Sequence, residues 1–264
     1  MKPAIELRRK LTAGELTLGL LATDTVWPRL VELCKLGGLD YLIVDTEHGA
    51  HSDELVAHVC QLGRLAEFPV LIRTISTDYI PVRRALDMGP CGLMLPCVED
   101  VGQLDAVRDA AFMPPRGRRR PGGFGNHWMS DFQYETWRQL FEEHLVVLPQ
   151  IESVRGLHNV DAISAHEIVT ALAVGPYDLS ADIGCCWRPE APELVRALQR
   201  IRVAAEAVGK RTWMMGDPSA LVEQGFTFIC VGEPSYVLLT ALQRIVAAAH
   251  PNDTHPGVST RPLA

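Results

Sequence analysis

The chain alternates short, almost wholly apolar runs with longer stretches in which apolar residues recur every three or four positions, at a spacing of roughly 30 residues. A strand covered on both faces reads as a continuous apolar run, because neither face meets water. An amphipathic helix instead shows a stripe with the helical period. On that reading the strands are Leu16 to Thr23, Tyr41 to Asp45, Val70 to Ile75, Cys91 to Val98, Leu145 to Ile151, Ile168 to Val174, Thr212 to Met215 and Phe226 to Val231. Helices are predicted over Val26 to Leu36, from the Ser52-Asp53-Glu54 cap through Leu65, and up to Met88 before the Gly89-Pro90 stop. The same pattern predicts helices over about Val101 to Phe112, up to Ala165, and over Pro192 to Val208, Pro218 to Gln224 and Tyr236 to Ala249.

Strands that alternate with helices imply a parallel sheet covered by helices. Eight such units in 264 residues favour a closed (β/α)8 TIM barrel over an open doubly wound sheet. Ala22-Thr23-Asp24 also stands where a dinucleotide fold would carry its glycine-rich phosphate loop. A single domain over residues 1–250 is expected, with a polar, proline-rich and disordered tail over 251–264. Met113 to about Tyr134, rich in Pro, Gly and Arg, is too long for a routine connection and reads as a functional loop or lid.

The composition, 47% hydrophobic and 22% charged, is that of a globular chain able to bury a sizeable core. The net charge of -7 gives no reason to expect nucleic acid or an anionic membrane as a partner. The run Arg116-Gly117-Arg118-Arg119-Arg120 lacks interleaved aromatics and reads as a loop, a lid or a subunit contact. Arg8-Arg9-Lys10 is followed by no apolar signal core, and no run of about 18 apolar residues exists to span a membrane, so a cytoplasmic protein is expected. The 7 cysteines are odd in number and widely spread, which suits buried free thiols in a reducing compartment. Cys185-Cys186 has no second Cys/His pair at metal-ligand spacing.

Barrels of this kind carry their chemistry at the carboxyl ends of the strands. The polar residues predicted there are Asp45, Glu47 and His48 after the second strand, Arg73 on the third, Gln150 and Glu152 on the fifth, and Asp178 after Gly175-Pro176-Tyr177 on the sixth. Glu152 and Asp178 bring two carboxylates to one end of the sheet. They form half of a divalent-metal site, completed by water and substrate oxygens, or else they cap the helices that follow, where Ser153 and Ser180 also fit. Arg73 is an ion-pair partner for Asp45 or Glu47, or a fixed fork for an anionic substrate. His48 is a general base or a hydrogen-bonded loop residue. Asp87, late in the third helix, needs the fold to bring it near. The predicted strands contain no lysine, which disfavours a Schiff-base route.

Through Tyr41-Leu-Ile-Val-Asp-Thr-Glu-His48, Leu148-Pro-Gln-Ile-Glu152 and Gly175-Pro-Tyr-Asp-Leu-Ser180, the chain resembles the HpcH/HpaI aldolases, the metal-dependent class II pyruvate aldolases, from about Leu18 to Ala249. The resemblance implies a (β/α)8 barrel holding Mg2+, Mn2+ or Co2+ on Glu152 and Asp178. It implies that Arg73 holds the keto and enolate oxygen of pyruvate, and that His48, with Asp87 as partner, serves the general-base step. Gln150 would line the site, with Asp45 and Glu47 behind it. Backbone N–H groups of the Gly175-Pro176-Tyr177-Asp178 turn would receive the pyruvate carboxylate.

The reaction implied is cleavage or formation of the C3–C4 bond of a 4-hydroxy-2-oxo acid, through a metal-stabilised pyruvate enolate and with an aldehyde as the other partner. A homo-oligomer is implied too, a hexamer built as a trimer of dimers that exchange the last helix. The sequence departs from the family at Tyr177, where Ala is usual, at Arg120 in place of a glycine, and at Val231-Gly232-Glu233-Pro234. These changes concern the acceptor half. They leave open decarboxylation of oxaloacetate, or its condensation with an anionic partner suited to the arginines at 116, 118, 119 and 120. A reading of another class is a non-catalytic barrel that binds through the arginine loop.

Overall fold

The computed structural model describes residues 1–120, 133–186 and 188–250. Eight parallel strands, β1 (Thr17–Ala22), β2 (Tyr41–Asp45), β3 (Val70–Arg73), β4 (Gly92–Leu95), β5 (Val146–Ile151), β6 (Leu172–Val174), β7 (Thr212–Met215) and β8 (Phe228–Cys230), pair in chain order, and β8 closes on β1. The helices are α1 (Lys2–Ala13), α2 (Leu30–Leu36), α3 (Asp53–Leu65), α4 (Tyr79–Asp87), α5 (Val101–Ala111), α6 (Tyr134–His144), α7 (Val154–His158), α8 (Val160–Ala165), α9 (Pro176–Ile183), α10 (Pro192–Ala207), α11 (Pro218–Glu223) and α12 (Pro234–Ala249). This is the single-domain (β/α)8 barrel that the repeated pattern predicts.

Local chemistry sets the ends of these elements. Ser52 caps α3 by accepting the Leu55 N–H, and Ser153 caps α7 by accepting that of Gly156. Asp100 and Gln103 form a reciprocal capping box on α5. Gly89, at φ 84, turns the chain sharply after α4 at no steric cost.

The closed sheet is filled by its own side chains. Tyr41, fully buried, donates its hydroxyl proton to the Ile229 carbonyl at 2.8 Å and accepts from Trp213 Nε1 at 2.8 Å. Gly19 makes room for its ring, because a Cβ there would run into the phenol. The amino-terminal end of the barrel is closed by α1, whose Pro3, Ala4, Leu7 and Leu11 are buried. Arg8 donates to the Leu145 carbonyl and to Thr170 just before β5 and β6, and Arg211, just before β7, donates to the Leu11 carbonyl.

Three helices were not expected from the sequence. In α1 the four buried residues are scattered among charges, so its composition reads as polar surface. In α6 the stripe Trp137 and Phe141 follows directly on the irregular arginine stretch. The short α9 opens on Gly175-Pro176, which reads as a loop, although Pro at a first helical turn is well tolerated. Of the cysteines, all free, Cys97 and Cys186 are exposed and the rest are buried. Among the described residues no helix is long and apolar enough to cross a membrane. The predicted tail 251–264, and residues 121–132 of the predicted lid, lie outside the described residues.

Candidate active site

The ends of β2 and β3 lie side by side, with Asp45 and Arg73 in register. Arg73 Nε donates to Asp45 Oδ1 at 2.7 Å and Nη2 donates to Oδ2 at 2.5 Å, a two-pronged match of guanidinium to carboxylate. Burial alone would push the Asp45 carboxyl up, but the Arg73 hydrogen bonds and charge outweigh it and hold it below the usual range. Burial likewise works against the charge on Arg73, and the Asp45 hydrogen bonds reverse the balance, so the guanidinium is held more firmly charged than in water.

The same carboxylate orders the following loop. Asp45 Oδ1 accepts the N–H of Glu47 at 2.9 Å and that of His48 at 3.4 Å. Thr46 binds the Arg73 carbonyl through its N–H at 3.0 Å and its hydroxyl at 2.6 Å. Glu47 is thereby placed with Oε2 at 3.3 Å from Arg73 Nε and 3.7 Å from His48 Nε2. Burial pushes the Glu47 carboxyl up, and Arg73 only partly offsets it. The His48 ring is largely exposed, on the solvent side of this group.

Glu152 follows the last residue of β5 and is 7% exposed. Its Oε1 accepts the Cys97 N–H at 2.6 Å and its Oε2 accepts Gln150 Nε2 at 3.2 Å. Gly175, after β6, sits against it so closely that a Cβ there would collide with the carboxylate. Burial raises the Glu152 carboxyl, and the nearby Glu47 and Asp178 charges add to the effect. Asp178, in the first turn of α9, is exposed. Ser153, not Glu152, caps the helix after β5, so capping does not account for that carboxylate.

Gln150 is buried, and its Oε1 has no hydrogen-bond partner. In the turn after β6, Gly175 donates its N–H to Ile151 and Pro176 has none to give. Tyr177 and Asp178 follow in the first turn of α9.

Asp87 lies at the end of α4, with Arg119 Nη2 at 3.2 Å and Arg83 Nε at 3.9 Å. Among the described residues the ionic partner of His48 is Glu47, and the fold of one chain does not join His48 to Asp87. The arginine stretch is similarly engaged. Arg116 pairs with Glu142 and Glu167, ahead of β5 and β6 and so at the amino-terminal end of the barrel. Arg118 pairs with Asp109, and Arg119, fully buried, pairs with Asp87 beneath the Phe141 ring. With those partners, the three arginines give no support to an anionic co-substrate bound through them.

Two groups near Glu152 were missed in the sequence. The Cys97 peptide, at φ 51, is invisible to any pattern of residue types. Gln103 was legible, because Asp100-x-x-Gln103 ahead of an apolar helix is a capping-box signature.

Electrostatically, one half of the site is a buried cation neutralised by Asp45, and the other is acid-rich. No group of three or more His, Cys, Asp and Glu side chains that could hold a metal ion by itself occurs among the described residues. A pair of carboxylates suits an ion that keeps several waters and takes substrate oxygens.

Comparison with known proteins supports the fold and gives the family. A profile of the HpcH/HpaI aldolase/citrate lyase family matches residues 24–241. The hydroxypyruvate/pyruvate aldolase of Pseudomonas aeruginosa is 31% identical over 252 residues, covering 92% of this chain and 92% of its own. The 5-keto-4-deoxy-D-glucarate aldolase of an Enterobacter species is 29% identical over 252 residues, covering 91% of this chain and 94% of its own. The crystal structure of an HpcH/HpaI aldolase from Desulfitobacterium hafniense superposes with a TM-score of 0.84 at 28% identity, covering 96% of this chain and 98% of that one. A non-catalytic barrel is thereby set aside. The chain belongs to the HpcH/HpaI aldolase/citrate lyase family and is a carbon–carbon lyase of that family.

Proposed function

We propose that the chain cleaves or forms the C3–C4 bond of a 4-hydroxy-2-oxo acid, with pyruvate and an aldehyde as the other partners, using a divalent ion held by Glu152 and Asp178. The observation that carries this reading is the condition of Glu152. It is a buried carboxylate at a strand end, it accepts two N–H groups, and it has no cation at ion-pair distance among the described residues. A buried anion left so is costly unless a cation joins it. The donor set is all oxygen, which fits Mg2+, Mn2+ or Co2+, and the orphaned Gln150 Oε1 beside it would accept from a coordinated water. When bound, the ion supplies Lewis acidity at the 2-oxo acid.

The chain's own groups do the rest. The backbone of the Gly175-Pro176-Tyr177-Asp178 turn that opens α9 receives the substrate carboxylate. A ring nitrogen of His48 takes the proton of the C4 hydroxyl, and the Glu47 carboxylate 3.7 Å away steadies the imidazolium. The C3–C4 bond then breaks, the aldehyde leaves, and its electron pair moves into the enolate of pyruvate. Arg73, locked by Asp45, presents positive charge to the oxygen where negative charge develops. Protonation at C3 releases pyruvate.

We infer that the active form is a homo-oligomer, a hexamer built as a trimer of dimers that exchange α12. Of that helix only Pro234 is buried in one chain, while Leu238 and Ile245 are 60% and 65% exposed. Sedimentation of a Leu238→Asp, Ile245→Asp variant is expected to give monomers; an unchanged hexamer refutes this assembly.

The decisive assay follows pyruvate release from 4-hydroxy-2-oxo acids through a lactate dehydrogenase couple, with oxaloacetate turnover measured beside it. Dialysis against a chelator is expected to abolish release, and Mg2+, Mn2+ or Co2+ to restore it in wild type but not in Glu152→Gln. Turnover that survives both chelation and Glu152→Gln overturns the proposal.

A further inference from the structure

The loop after β4 reaches across to Glu152 through a single strained peptide. Cys97 sits at φ 51, in the left-handed region that a residue with a side chain adopts only at a cost of about 1–3 kcal/mol. In that conformation its N–H points at Glu152 Oε1, 2.6 Å away. The other side of the same residue is held by Gln103, whose Nε2 donates to the Cys97 carbonyl at 2.9 Å.

Gln103 also fixes what flanks it. Its Oε1 accepts the N–H groups of Glu99 at 2.7 Å and Asp100 at 3.1 Å, and its own N–H is accepted by Asp100 Oδ1 at 3.2 Å. Its Nε2 reaches Thr77 Oγ1 at 3.3 Å as well, tying the loop after β4 to the one after β3. The loop is further laced to the end of β5, since the Val98 N–H donates to the Gln150 carbonyl at 3.2 Å and Ser153 Oγ donates to Glu99 Oε1 at 2.8 Å. A helix cap alone needs only the Oε1 contacts. The donation to Cys97 is additional, and it braces the one residue whose strained backbone holds the carboxylate.

We propose that Gln103 is a positioning residue for the metal site, holding Glu152 in its metal-binding orientation through the Cys97 peptide. This rests on the reading of Glu152 as a metal ligand. The contact is a hydrogen bond one step removed from the ion, the kind whose loss weakens metal affinity about 10- to 100-fold.

The test uses the intact protein and Mn2+ alone, titrated by calorimetry and by the electron paramagnetic resonance of free Mn2+. Gln103→Glu keeps the oxygen that caps α5 and turns an acceptor toward the Cys97 carbonyl. Its added negative charge would by itself draw Mn2+ in, so weaker binding cannot come from charge. The proposal expects about tenfold weaker Mn2+ binding by Gln103→Glu, with the melting temperature of the metal-free protein unchanged. Gln103→Met, which fills the space without either polar group, is expected to weaken binding too and serves if Gln103→Glu folds poorly. Wild-type Mn2+ affinity in both variants, with affinity lost in Glu152→Gln, overturns this role alone. Wild-type affinity in Glu152→Gln overturns the metal reading and this role with it.

Discussion

Arg73 reaches Asp45 with two parallel hydrogen bonds, of 2.7 and 2.5 Å, from the last residue of one strand to the last residue of its neighbour. Each is the reason the other can be where it is. Asp45 is fully buried, and without a cation that burial would push its carboxyl up, whereas Arg73 would swing among rotamers without a rigid fork to meet. The sequence left two readings of Arg73 open, structural partner or anion holder. The two are compatible, because an ion pair that fixes the guanidinium would also aim it.

Breaking that pair is expected to cost both stability and rate. Asp45→Ala leaves a buried arginine with Glu47, at 3.3 Å, as its remaining ion-pair partner among the described residues. Removing one member of a buried pair costs about 3–5 kcal/mol, and Glu47 should keep this case at the lower end. Arg73→Lys keeps the charge but not the fork, and should lower kcat for pyruvate release by about 10²–10³-fold, the loss typical of one preorganised donor. Thermal melting beside steady-state kinetics separates the two effects. A Lys variant with full kcat would show that the fork has no part in the reaction.

At the other end of the barrel, Tyr41→Phe tests the core. The phenol hydroxyl bridges Trp213 Nε1 and the Ile229 carbonyl, both buried. Removing it strands a donor and an acceptor away from water, at about 1–3 kcal/mol for such a loss. Urea unfolding should show that drop with an unchanged denaturant slope. A neutral result would mean that water enters to replace the hydroxyl.

The barrel was legible because its strands are buried on both faces, so each apolar run such as Tyr41-Leu-Ile-Val44 announces itself and the next polar residue marks the strand end. That rule also found Asp45, Arg73, Gln150 and Glu152. It could not assign the loop between the second strand and its helix, where Glu47 turns out to stand between Arg73 and His48. Nor could it see Cys97, whose role depends on a backbone angle and not on its thiol. The arginine stretch failed differently. Charge written in sequence says nothing of its partners, and Arg116, Arg118 and Arg119 proved to be paired within the chain.

Buried thiols make the protein sensitive to alkali. Burial pushes Cys34, Cys91 and Cys230 from 9.0 up to about 12, and Cys60 upward as well. Above pH 9 the unfolded chain releases these protons while the folded one keeps them, so stability is full below pH 9 and declines as pH rises toward 12. The slope is about 1.4 kcal/mol per pH unit for each thiol, opposed up to pH 10.5 by Lys210, which burial lowers to about 8. Urea midpoints at pH 8, 9.5 and 11 should fall, and Cys34→Ala should flatten the decline whatever it does to stability at pH 8. An equal slope in that variant would rule out its thiol as a contributor.

The β8 side of the site is acidic, and on the proposed reaction that should govern which aldehyde is taken. Glu233, at the N-cap of α12 after β8, lies within electrostatic reach of Asp24, Asp45 and Arg73; burial, then Asp24, push its carboxyl up. Tyr177 feels the Glu233 charge in turn. With Glu47 and Asp178 nearby, an aldehyde bearing its own carboxylate meets like charge, whereas a neutral polyhydroxy aldehyde can donate hydrogen bonds to Glu233. Wild type should therefore prefer the neutral acceptor in the condensation direction. Glu233→Gln should raise kcat/KM for a carboxylated aldehyde several-fold more than for glyceraldehyde, with the gain shrinking as salt screens the charge. Equal effects on both acceptors would show that Glu233 does not face the aldehyde.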